Sequence, residues 1–397
     1  MKIAIWSNAG HCPTGYGTQT LQLTKRLHAD GHEVGVIANW GLTGAPMQSE
    51  YGVVYPQGSH PYSLDVADYY ADTFHKGEGG LIICLYDTWP LLEHRKLFEK
   101  HEAYYWAPID HSPVPPRVGE WCKDHDVIAM SEFGRNELTE AGMPPAYTIP
   151  HGIETSVFKP TPSDARKMLE VPDDAHLATA RMANIGQAPV RKSFFENLLA
   201  WRVFAEQHED AYLYLHTQLG HPRGVDLMAA IRHWGLPRDR VRIVDQGAYA
   251  SGLIGQDKLA AIDSAADVML MATAGEGFGI PAVEANACGT PVIATDFSAQ
   301  KEVAFGWHVP FHPIWDYAQG SSQAAPSIDG IIKALEQSYA ISKDRTAAEQ
   351  MSQQAIEHAR RYDADTVYAE HWRPFIEDRQ AKPNRQQRRA QKRGKAA

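Results

Sequence analysis

The sequence has few cysteines, and they do not form a recognisable pattern. Only four are present, at positions 12, 84, 122 and 288, and none belongs to a CxxC pair. This scarcity is unlike the disulfide framework of a small secreted protein and favours a reduced compartment. We therefore expect a cytoplasmic protein.

Long apolar runs are also missing. The apolar run Ile3–Trp6 near the N-terminus is far shorter than the central region of a signal peptide. No other stretch approaches the length that is needed to cross a membrane. The sequence thus predicts no transmembrane segment, in agreement with a cytoplasmic location.

A surplus of positive charge is the third missing feature. Lys and Arg number 38 against 48 Asp and Glu, which gives a formal net charge of −10. That balance argues against a body that wraps nucleic acid. With 397 residues, of which 44% are hydrophobic, the chain is long enough for two globular domains of roughly 150 to 200 residues each.

The most informative stretch that is present is the string EGFGIPAVE at 276–284. Pro281 favours the first turn of a helix, because the N–H that proline lacks would have no partner there. The free N–H groups at this helix start, together with Gly277 and Gly279, predict a pocket for an anion such as a diphosphate.

The two acids of the string are expected to bind ligand hydroxyls. Glu276 precedes the helix and Glu284 is placed just inside its first turn, so we expect both to face a ligand at the helix start. Carboxylates accept paired hydrogen bonds from vicinal diols such as those of a ribose or a hexose. The alternative is a structural role, since the helix dipole alone stabilises an acid near a helix N-terminus.

The string resembles the E-x7-E element of the retaining GT-B glycosyltransferases. Residues 276–294 follow the family pattern E-G-F-G-x-P-x-x-E-A-x-A-x-G-x-P-V-I-A nearly throughout. The resemblance implies that Glu276 contacts the sugar of the donor and that Glu284 contacts its ribose. It also implies that the backbone amides of Phe278, Gly279 and Ile280 contact the sugar and the phosphates.

The order of predicted strands and helices indicates an α/β fold. Strand, glycine loop, helix and strand follow one another in the first 38 residues. The second half repeats the alternation, with strands near 177–181, 211–216, 241–245, 267–271 and 291–295. The resemblance implies two Rossmann-like domains that face a cleft. We expect an N-terminal domain on the acceptor side at 1–155, a nucleotide-sugar-binding domain at 156–362, a helix at 363–380 that crosses back to the N-terminal domain, and a basic tail at 381–397.

The glycine loop after the first strand contains Gly15 and Gly17. It matches only part of a dinucleotide fingerprint, because Thr20 stands where the last glycine is expected and no acid closes the second strand. A nicotinamide site is therefore disfavoured. The resemblance implies that this loop borders the donor phosphates and the acceptor, and the alternative is a tight turn without a ligand.

Asp110 and His111 follow the strand that is predicted at 104–107. Ligand residues of open α/β sheets gather beyond the carboxyl ends of strands, so both residues lie at a candidate donor-sugar or acceptor position. Members of the resembled family often carry a functional His or Asp in this loop. The alternative is a turn, which Asp beside prolines often forms.

Three basic residues follow the first strand of the second half: Arg181, Arg191 and Lys192. The resembled family places an Arg and a Lys against the diphosphate in this region. The interval from Arg181 to Lys192 is longer than the common R-x4-K, so either Arg181 or Arg191 supplies the guanidinium. A solvated basic turn is the alternative.

The sequence disfavours a metal site. Two Asp-x-Asp triplets, at 124–126 and 363–365, have the spacing with which transferases of another fold hold a divalent cation. Neither triplet follows a strand into a ligand site, and the second is well placed to cap a helix. We expect neither a metal nor any other cofactor.

The resemblance implies a glycosyltransferase that moves a sugar from a nucleotide-diphosphate donor, without a metal and with retention at the anomeric carbon. The acceptor stays open among protein, DNA, glycan and lipid. The basic tail could hold an acidic partner such as nucleic acid, or could only improve solubility. Rival interpretations are a nucleotide-sugar epimerase or phosphorylase on the same fold, and a non-catalytic nucleotide- or carbohydrate-binding protein.

Overall fold

The computed structural model describes residues 1–94, 96–186 and 191–381. The chain divides into two units. Unit 1 contains residues 1–109, 114–152 and the segment from residue 364, and unit 2 contains 110–113 and 153–363. The short segment 110–113 was expected in the N-terminal domain, but it belongs to unit 2 because Ser112 pairs with Ser322 there.

Unit 1 is built on a sheet of eight strands. Its strands are β1 (Lys2–Asn8), β2 (Glu33–Trp40), β3 (Met47–Ser49), β4 (Gly52–Tyr55), β5 (Leu81–Leu85), β6 (Glu102–Ala107), β7 (Asp126–Ala129) and β8 (Tyr147–Thr148). The helices between them are α1 (Gly15–Ala29), α2 (Ala67–His75), α3 (Pro116–Cys122) and α4 (Glu132–Glu140). The sheet order is β3-β4-β2-β1-β5-β6-β7-β8, and the β3–β4 pair is antiparallel in an otherwise parallel sheet. β5 is buried along its whole length, as its continuous apolar run LIICL requires.

Unit 2 has a parallel sheet of six strands and a separate hairpin. The strands are β9 (His176–Arg181), β10 (Ala211–His216), β11 (Val241–Ile243), β12 (Val268–Met271), β13 (Val292–Thr295), β14 (Gly306–Val309), β15 (Phe311–Asp316) and β16 (Ser321–Pro326). The helices are α5 (Ala165–Met168), α6 (Phe194–Gln207), α7 (Leu227–Trp234), α8 (Gln246–Ala250), α9 (Gln256–Ala265), α10 (Ile280–Ala287), α11 (Gln300–Val303), α12 (Ile328–Ser342) and α13 (Arg345–Ala359). The sheet order is β11-β10-β9-β12-β13-β14, so the strand order reverses between β9 and β12. β15 and β16 pair antiparallel outside this sheet.

The last described segment returns to unit 1. It contains α14 (Ala364–Val367) and α15 (Arg373–Ala381), joined by a π-helical turn at Tyr368–Trp372. Trp372 is buried against Trp106 of β6, with ring centroids 4.8 Å apart. No helix in the described part of the chain is both long and apolar enough to cross a membrane.

The predicted α/β fold is confirmed, including the five strands expected in the second half of the chain. The hairpin β15–β16 was not predicted. Its first strand contains Pro313, and proline within a short run argues against a strand unless that strand lies at an edge. A two-stranded hairpin consists of edges, and therefore tolerates this proline.

Candidate functional site

Polar side chains gather where strands β9 and β12 of unit 2 end. The sheet reverses its strand order between these two strands, and open α/β sheets bind ligands at such a position. Arg181 ends β9, Lys192 lies just before α6, and Glu276 follows β12. Residues that the sequence singled out in two distant stretches therefore converge at one end of one sheet.

Glu276 is buried and held by two cations. Lys192 Nζ donates to Glu276 Oε1 at 2.5 Å, and Arg191 Nη1 donates to Oε2 at 2.9 Å. Thr273 Oγ1 donates to Oε1 at 3.0 Å. Only 6% of Glu276 and 8% of Lys192 is exposed. Charge-assisted hydrogen bonds on both oxygens give this carboxylate a fixed position.

The charged groups of this cluster shift one another's pKa. Burial raises the pKa of Glu276, but Lys192 and Arg191 outweigh it, so the pKa lies below its ordinary value. Burial and the neighbouring Arg191 lower the pKa of Lys192 against the opposing effect of Glu276. A nearby anion favours the charged form of an amine, so an anionic ligand bound here would stabilise the ammonium of Lys192.

Side chains that sequence reasoning missed fix the backbone around Glu276. Ser298 Oγ accepts a hydrogen bond from the Glu276 N–H at 3.0 Å. Gln300 Oε1 accepts from the Thr273 and Thr295 N–H groups, and Gln300 Nε2 donates to the Thr273 carbonyl at 3.1 Å. Gln300 thereby ties the chain after β12 to the end of β13. No spacing pattern in a single sequence predicts such supporting residues.

Helix α10 begins close to the predicted position. It starts at Ile280, one residue before Pro281, and Gly279 caps it with a φ of 103°. Glycine adopts this conformation without the steric cost that a side chain would add. The ring of Phe278 is buried against Tyr362, with centroids 5.5 Å apart. The start of a helix attracts anions. In α10 the Ala282 N–H donates to the Gly279 carbonyl at 3.0 Å, and Pro281 has no N–H.

Glu284 lies elsewhere than predicted. Because α10 begins at Ile280, Glu284 belongs to its second turn and not to its first. Its Oε2 lies 3.0 Å from Arg181 Nη1, and Arg181 Nη2 donates to Asp263 Oδ2 at 2.7 Å. All three residues are buried. Glu276 and Glu284 therefore belong to two different ion clusters, each with its own arginine.

One guanidinium serves two carboxylates in the cluster of Asp263, Arg181 and Glu284. Burial raises the pKa of Glu284, and Arg181 opposes this only in part. Burial, aided by the charge of Glu284, raises the pKa of Asp263 to about 7 against the effect of Arg181. Arg181 pairs with these two acids, whereas Arg191 and Lys192 both pair with Glu276. Which arginine contacts a diphosphate stays a prediction.

Asp110 and His111 lie close to the Glu276 cluster. A Cβ built on Gly275 would come within 2.3 Å of the Asp110 carbonyl oxygen. His111 Nδ1 lies 2.7 Å from Asp110 Oδ1, and His111 Nε2 lies 3.3 Å from Asp316 Oδ2. Asp316 ends strand β15 of the unpredicted hairpin, so no pattern in the sequence connected it with His111.

A segment within the C-terminal half of the chain matches a known family. Residues 251–358 match the Glycosyl transferases group 1 family. This range contains Glu276, Glu284 and all of α10. The D-inositol 3-phosphate glycosyltransferase of Xylanimonas cellulosilytica is 29% identical over 216 residues, which cover 50% of this chain and 48% of the relative. The chain thus spans about half the length of the curated relatives that it matches.

Solved structures share the fold over nearly the whole chain. Sucrose-phosphate synthase from Thermosynechococcus elongatus aligns with a TM-score of 0.71 at 19% identity, covering 96% of this chain and 100% of that one. Anabaena HepE in complex with UDP-glucose aligns with a TM-score of 0.66 at 17% identity, covering 95% and 100%. The fold is therefore GT-B. The match of residues 251–358 supports a glycosyltransferase, while these neighbours show the fold.

Gly15 and Gly17 lie in unit 1, in the first turn of α1. Thr14 caps this helix, and its Oγ1 accepts a hydrogen bond from the Gly17 N–H at 3.0 Å. A Cβ on Gly17 would lie 2.4 Å from the Cys12 carbonyl oxygen, which is too close for any other residue without a shift of the backbone. The tight turn is present, and the donor-binding role of the two glycines stays a prediction.

The aspartates of the second Asp-x-Asp triplet have protein partners. Asp363 accepts a hydrogen bond from the Thr155 hydroxyl, and Asp365 pairs with Arg26 at 2.8 Å. Within residues 1–94, 96–186 and 191–381, no group of three or more His, Cys, Asp or Glu side chains is arranged to hold a metal. The predicted basic tail lies, from residue 382 onward, outside the described residues.

Proposed function

We propose that this protein transfers a sugar from a nucleotide-diphosphate donor to an acceptor, with retention at the anomeric carbon and without a metal. The observation that carries the proposal is the cluster of Glu276, Lys192 and Arg191 beside the N-terminus of α10. It combines an acceptor for hydroxyl groups, two cations and the first turn of a helix where a Rossmann-like sheet binds ligands. A nucleotide sugar has the matching hydroxyls and phosphates.

Lys192 and Arg191 would stabilise the leaving diphosphate. Negative charge on the phosphates grows as the glycosidic bond breaks, so cations at this place bind the transition state more tightly than the bound donor. Both cations donate to Glu276, at 2.5 and 2.9 Å. The buried ammonium of Lys192 and the partly exposed guanidinium of Arg191, together with the N-terminus of α10, would supply the charge stabilisation that a metal supplies elsewhere.

The two glutamates would hold different parts of the donor. Glu276 would accept hydrogen bonds from the sugar hydroxyls, because it lies next to the cations that bind the phosphates. Glu284 would accept from the ribose diol, with Arg181 holding its carboxylate in place through one oxygen. The resemblance to retaining GT-B enzymes supports both roles. It also supports deprotonation of the acceptor by the leaving phosphate, which needs no separate base.

A donor panel tests the proposal. The purified protein is incubated with UDP-, GDP- and ADP-sugars, and nucleotide release is measured without acceptor and with peptide, DNA, glycan or lipid acceptors. We expect one donor to release nucleotide faster when one acceptor class is added, with a product of unchanged anomeric configuration by NMR. An isomerised nucleotide sugar without acceptor would indicate an epimerase. Tight binding without turnover of any donor would indicate a binding protein.

A further inference from the structure

The hairpin β15–β16 is fastened to two segments that border the Glu276 cluster. The Ser112 N–H donates to the Ser322 carbonyl at 3.0 Å, and Ser321 Oγ donates to the Pro113 carbonyl. In the same strand, β16, the Ala324 N–H donates to the Ala274 carbonyl at 2.9 Å, two residues before Glu276. Strand β16 therefore bonds both to the segment 110–113 and to the chain after β12.

This attachment places His111 between two carboxylates. His111 Nδ1 lies 2.7 Å from Asp110 Oδ1, and His111 Nε2 lies 3.3 Å from Asp316 Oδ2. An ionised carboxylate only accepts hydrogen bonds, so a ring that bonds two of them must donate from both nitrogens. The side chains are largely enclosed, with 9% of His111, 25% of Asp110 and 18% of Asp316 exposed.

We propose that Asp316 is a positioning residue that, with Asp110, holds His111 as an imidazolium and aims its Nε2–H at the sugar of a bound donor. The proposal rests on the proposed function, since it assigns the ligand of the Nε2–H group. The two bonds are unequal: the 2.7 Å bond to Asp110 fixes the ring, while the 3.3 Å bond to Asp316 is at the long end of the range. A ligand hydroxyl can therefore accept from Nε2–H without loosening the ring from Asp110.

The surrounding charges agree with this assignment. Burial lowers the pKa of His111, but Asp110 and Asp316 outweigh it and raise the pKa above its ordinary value. Asp110 is in turn stabilised as an anion by His111, Arg191 and Lys192. Asp110 and Asp316 are thus the acids that bond the ring, and Arg191 and Lys192, which are paired with Glu276, act on the charge of Asp110.

Asp316→Asn isolates the charge of this residue from its role in the hairpin. Asp316 Oδ1 accepts from the N–H groups of Ala318 and Gln319 at 2.9 and 3.2 Å, and the amide oxygen of Asn can keep both bonds. Only the oxygen that faces His111 is replaced by a group that cannot accept. Asp316→Glu keeps the carboxylate, and Asp210→Asn is the control, because Asp210 also pairs with a cation but precedes β10 at the amino end of the sheet.

The test is an NMR titration of the full chain labelled with ¹³C at histidine Cε1, in which the His111 signal is assigned by its loss in His111→Gln. We expect Asp316→Asn to move the His111 midpoint to lower pH, Asp316→Glu to retain most of the parental midpoint, and Asp210→Asn to leave it in place. If the donor panel finds a substrate, the pH dependence of kcat should move with the midpoint in Asp316→Asn. The titration needs no turnover, so it separates failure of this proposal from failure of the proposed function.

An unchanged His111 midpoint in a folded Asp316→Asn protein would overturn the proposal and leave Asp316 as a hairpin residue only. A midpoint that moves while the pH dependence of kcat stays would also overturn it, because His111 would then be charged without acting on the donor. Melting curves establish folding. If Asp316→Asn does not fold, Asp316→Ser serves in its place, since a serine hydroxyl also caps such turns.

Discussion

At the scale of single residues, Lys192 is the side chain whose replacement should affect chemistry more than binding. Lys192 is 8% exposed, and its ammonium lies on Glu276, where phosphate charge would grow during the reaction. We expect Lys192→Ala to lower kcat roughly a hundredfold or more, by analogy with the loss of one oxyanion donor, with a smaller effect on donor affinity. Lys192→Arg should restore only part of the rate, because a planar guanidinium does not occupy the place of an ammonium.

The measurement for Lys192 is steady-state kinetics with the donor found by the panel, next to calorimetric binding of the same donor. Lys301→Ala is the matched control, because Lys301 is 65% exposed and pairs with Asp296 outside the Glu276 cluster. Arg191 still pairs with Glu276 in Lys192→Ala, so we expect the variant to fold. A folded Lys192→Ala protein with the parental kcat would exclude the phosphate role.

The raised pKa of Asp263 predicts how the stability of the protein depends on pH. Burial raises its pKa in the folded protein from an ordinary value of 3.8 to about 7. The folded state then binds the proton of Asp263 more tightly than the unfolded state does. Protonation of Asp263 therefore contributes fully to the free energy of unfolding below about pH 4, and this contribution is lost as the pH rises through 7. Asp263→Asn cannot titrate. The unfolding free energy of the parent should therefore fall relative to that of Asp263→Asn between pH 4 and pH 7.

Urea denaturation at several pH values between 4 and 8 measures this difference. The exposed Asp257 of the same helix serves as the control position for Asp→Asn. Curves for the parent and Asp263→Asn that run parallel with pH would show that Arg181 keeps Asp263 ionised throughout the range.

At the scale of elements, the sequence was most informative where a helix or strand carries its own pattern. The start of α10 followed from Pro281 and the glycines before it, and the buried strands of unit 2 followed from short apolar runs. The hairpin β15–β16 has no such run and includes Pro313. Its role depends on contacts with residues 110–113, some 200 positions away, and no local pattern records contacts at that separation.

The same distinction explains the candidate site. Glu276, Lys192 and Arg191 were found because they stand in or near a family pattern, although the long interval after Arg181 left its role open. In the structure Arg191 and Lys192 both pair with Glu276, whereas Arg181 pairs with Asp263 and Glu284. Which of several buried charged groups pair with one another depends on their distances in the folded structure, and the sequence does not give those distances.

Gly279 provides the test of α10 as an element. Its φ is 103°, and a Cβ at this position would meet no atom closer than 3.6 Å, so the cost of Gly279→Ala comes from the backbone and not from a clash. Strain of this kind costs about 1 to 3 kcal/mol. We expect the variant to lose stability and, because the first N–H groups of α10 would shift, to lose nucleotide affinity as well.

Gly44→Ala is the matched control for Gly279→Ala. Gly44 has a φ of 89° and nothing within 4 Å of an added Cβ, but it lies in unit 1 and far from α10 in sequence. Both variants should lower the melting temperature, whereas calorimetry should show weaker nucleotide binding for Gly279→Ala alone. Equal nucleotide affinity in the two variants would mean that the N-terminus of α10 does not hold the phosphates.

At the scale of the whole molecule, the two units repeat one arrangement. In each parallel sheet the first strand in chain order, β1 or β9, lies in the interior, and later strands are added on both sides of it. Each sheet therefore has a point where the strand order reverses, and the glycine loop of unit 1 and the Glu276 cluster of unit 2 each follow a strand at that point. This repetition gives physical grounds for seeking the second substrate at the end of β1.

The basic tail sets the last prediction. Residues 382–397 contain seven Lys or Arg and no acid, in a chain whose net charge is −10. Truncation should follow Ala381, the last described residue of α15, so that Arg379 keeps its pair with Glu102 at 3.2 Å within unit 1. A cationic segment of this composition binds phosphates with release of counterions, so transfer to a polyanionic acceptor should become less salt-dependent in the truncated protein. The slope should fall by about 0.7 to 0.9 for each acceptor phosphate that the tail neutralises in the parent.

Donor turnover without acceptor separates an acceptor clamp from a part of the fold. The truncated protein should keep the parental melting temperature and rate of donor hydrolysis, since the ion pairs of Arg379 remain. A full-length variant with each Lys and Arg of 382–397 replaced by Gln controls for length and should behave like the truncation, because the argument depends on charge alone. If hydrolysis falls as much as transfer in both variants, the tail supports the catalytic fold. If the Gln variant instead keeps the parental salt dependence, charge is not what the tail contributes, and binding of an acidic acceptor by this segment is excluded.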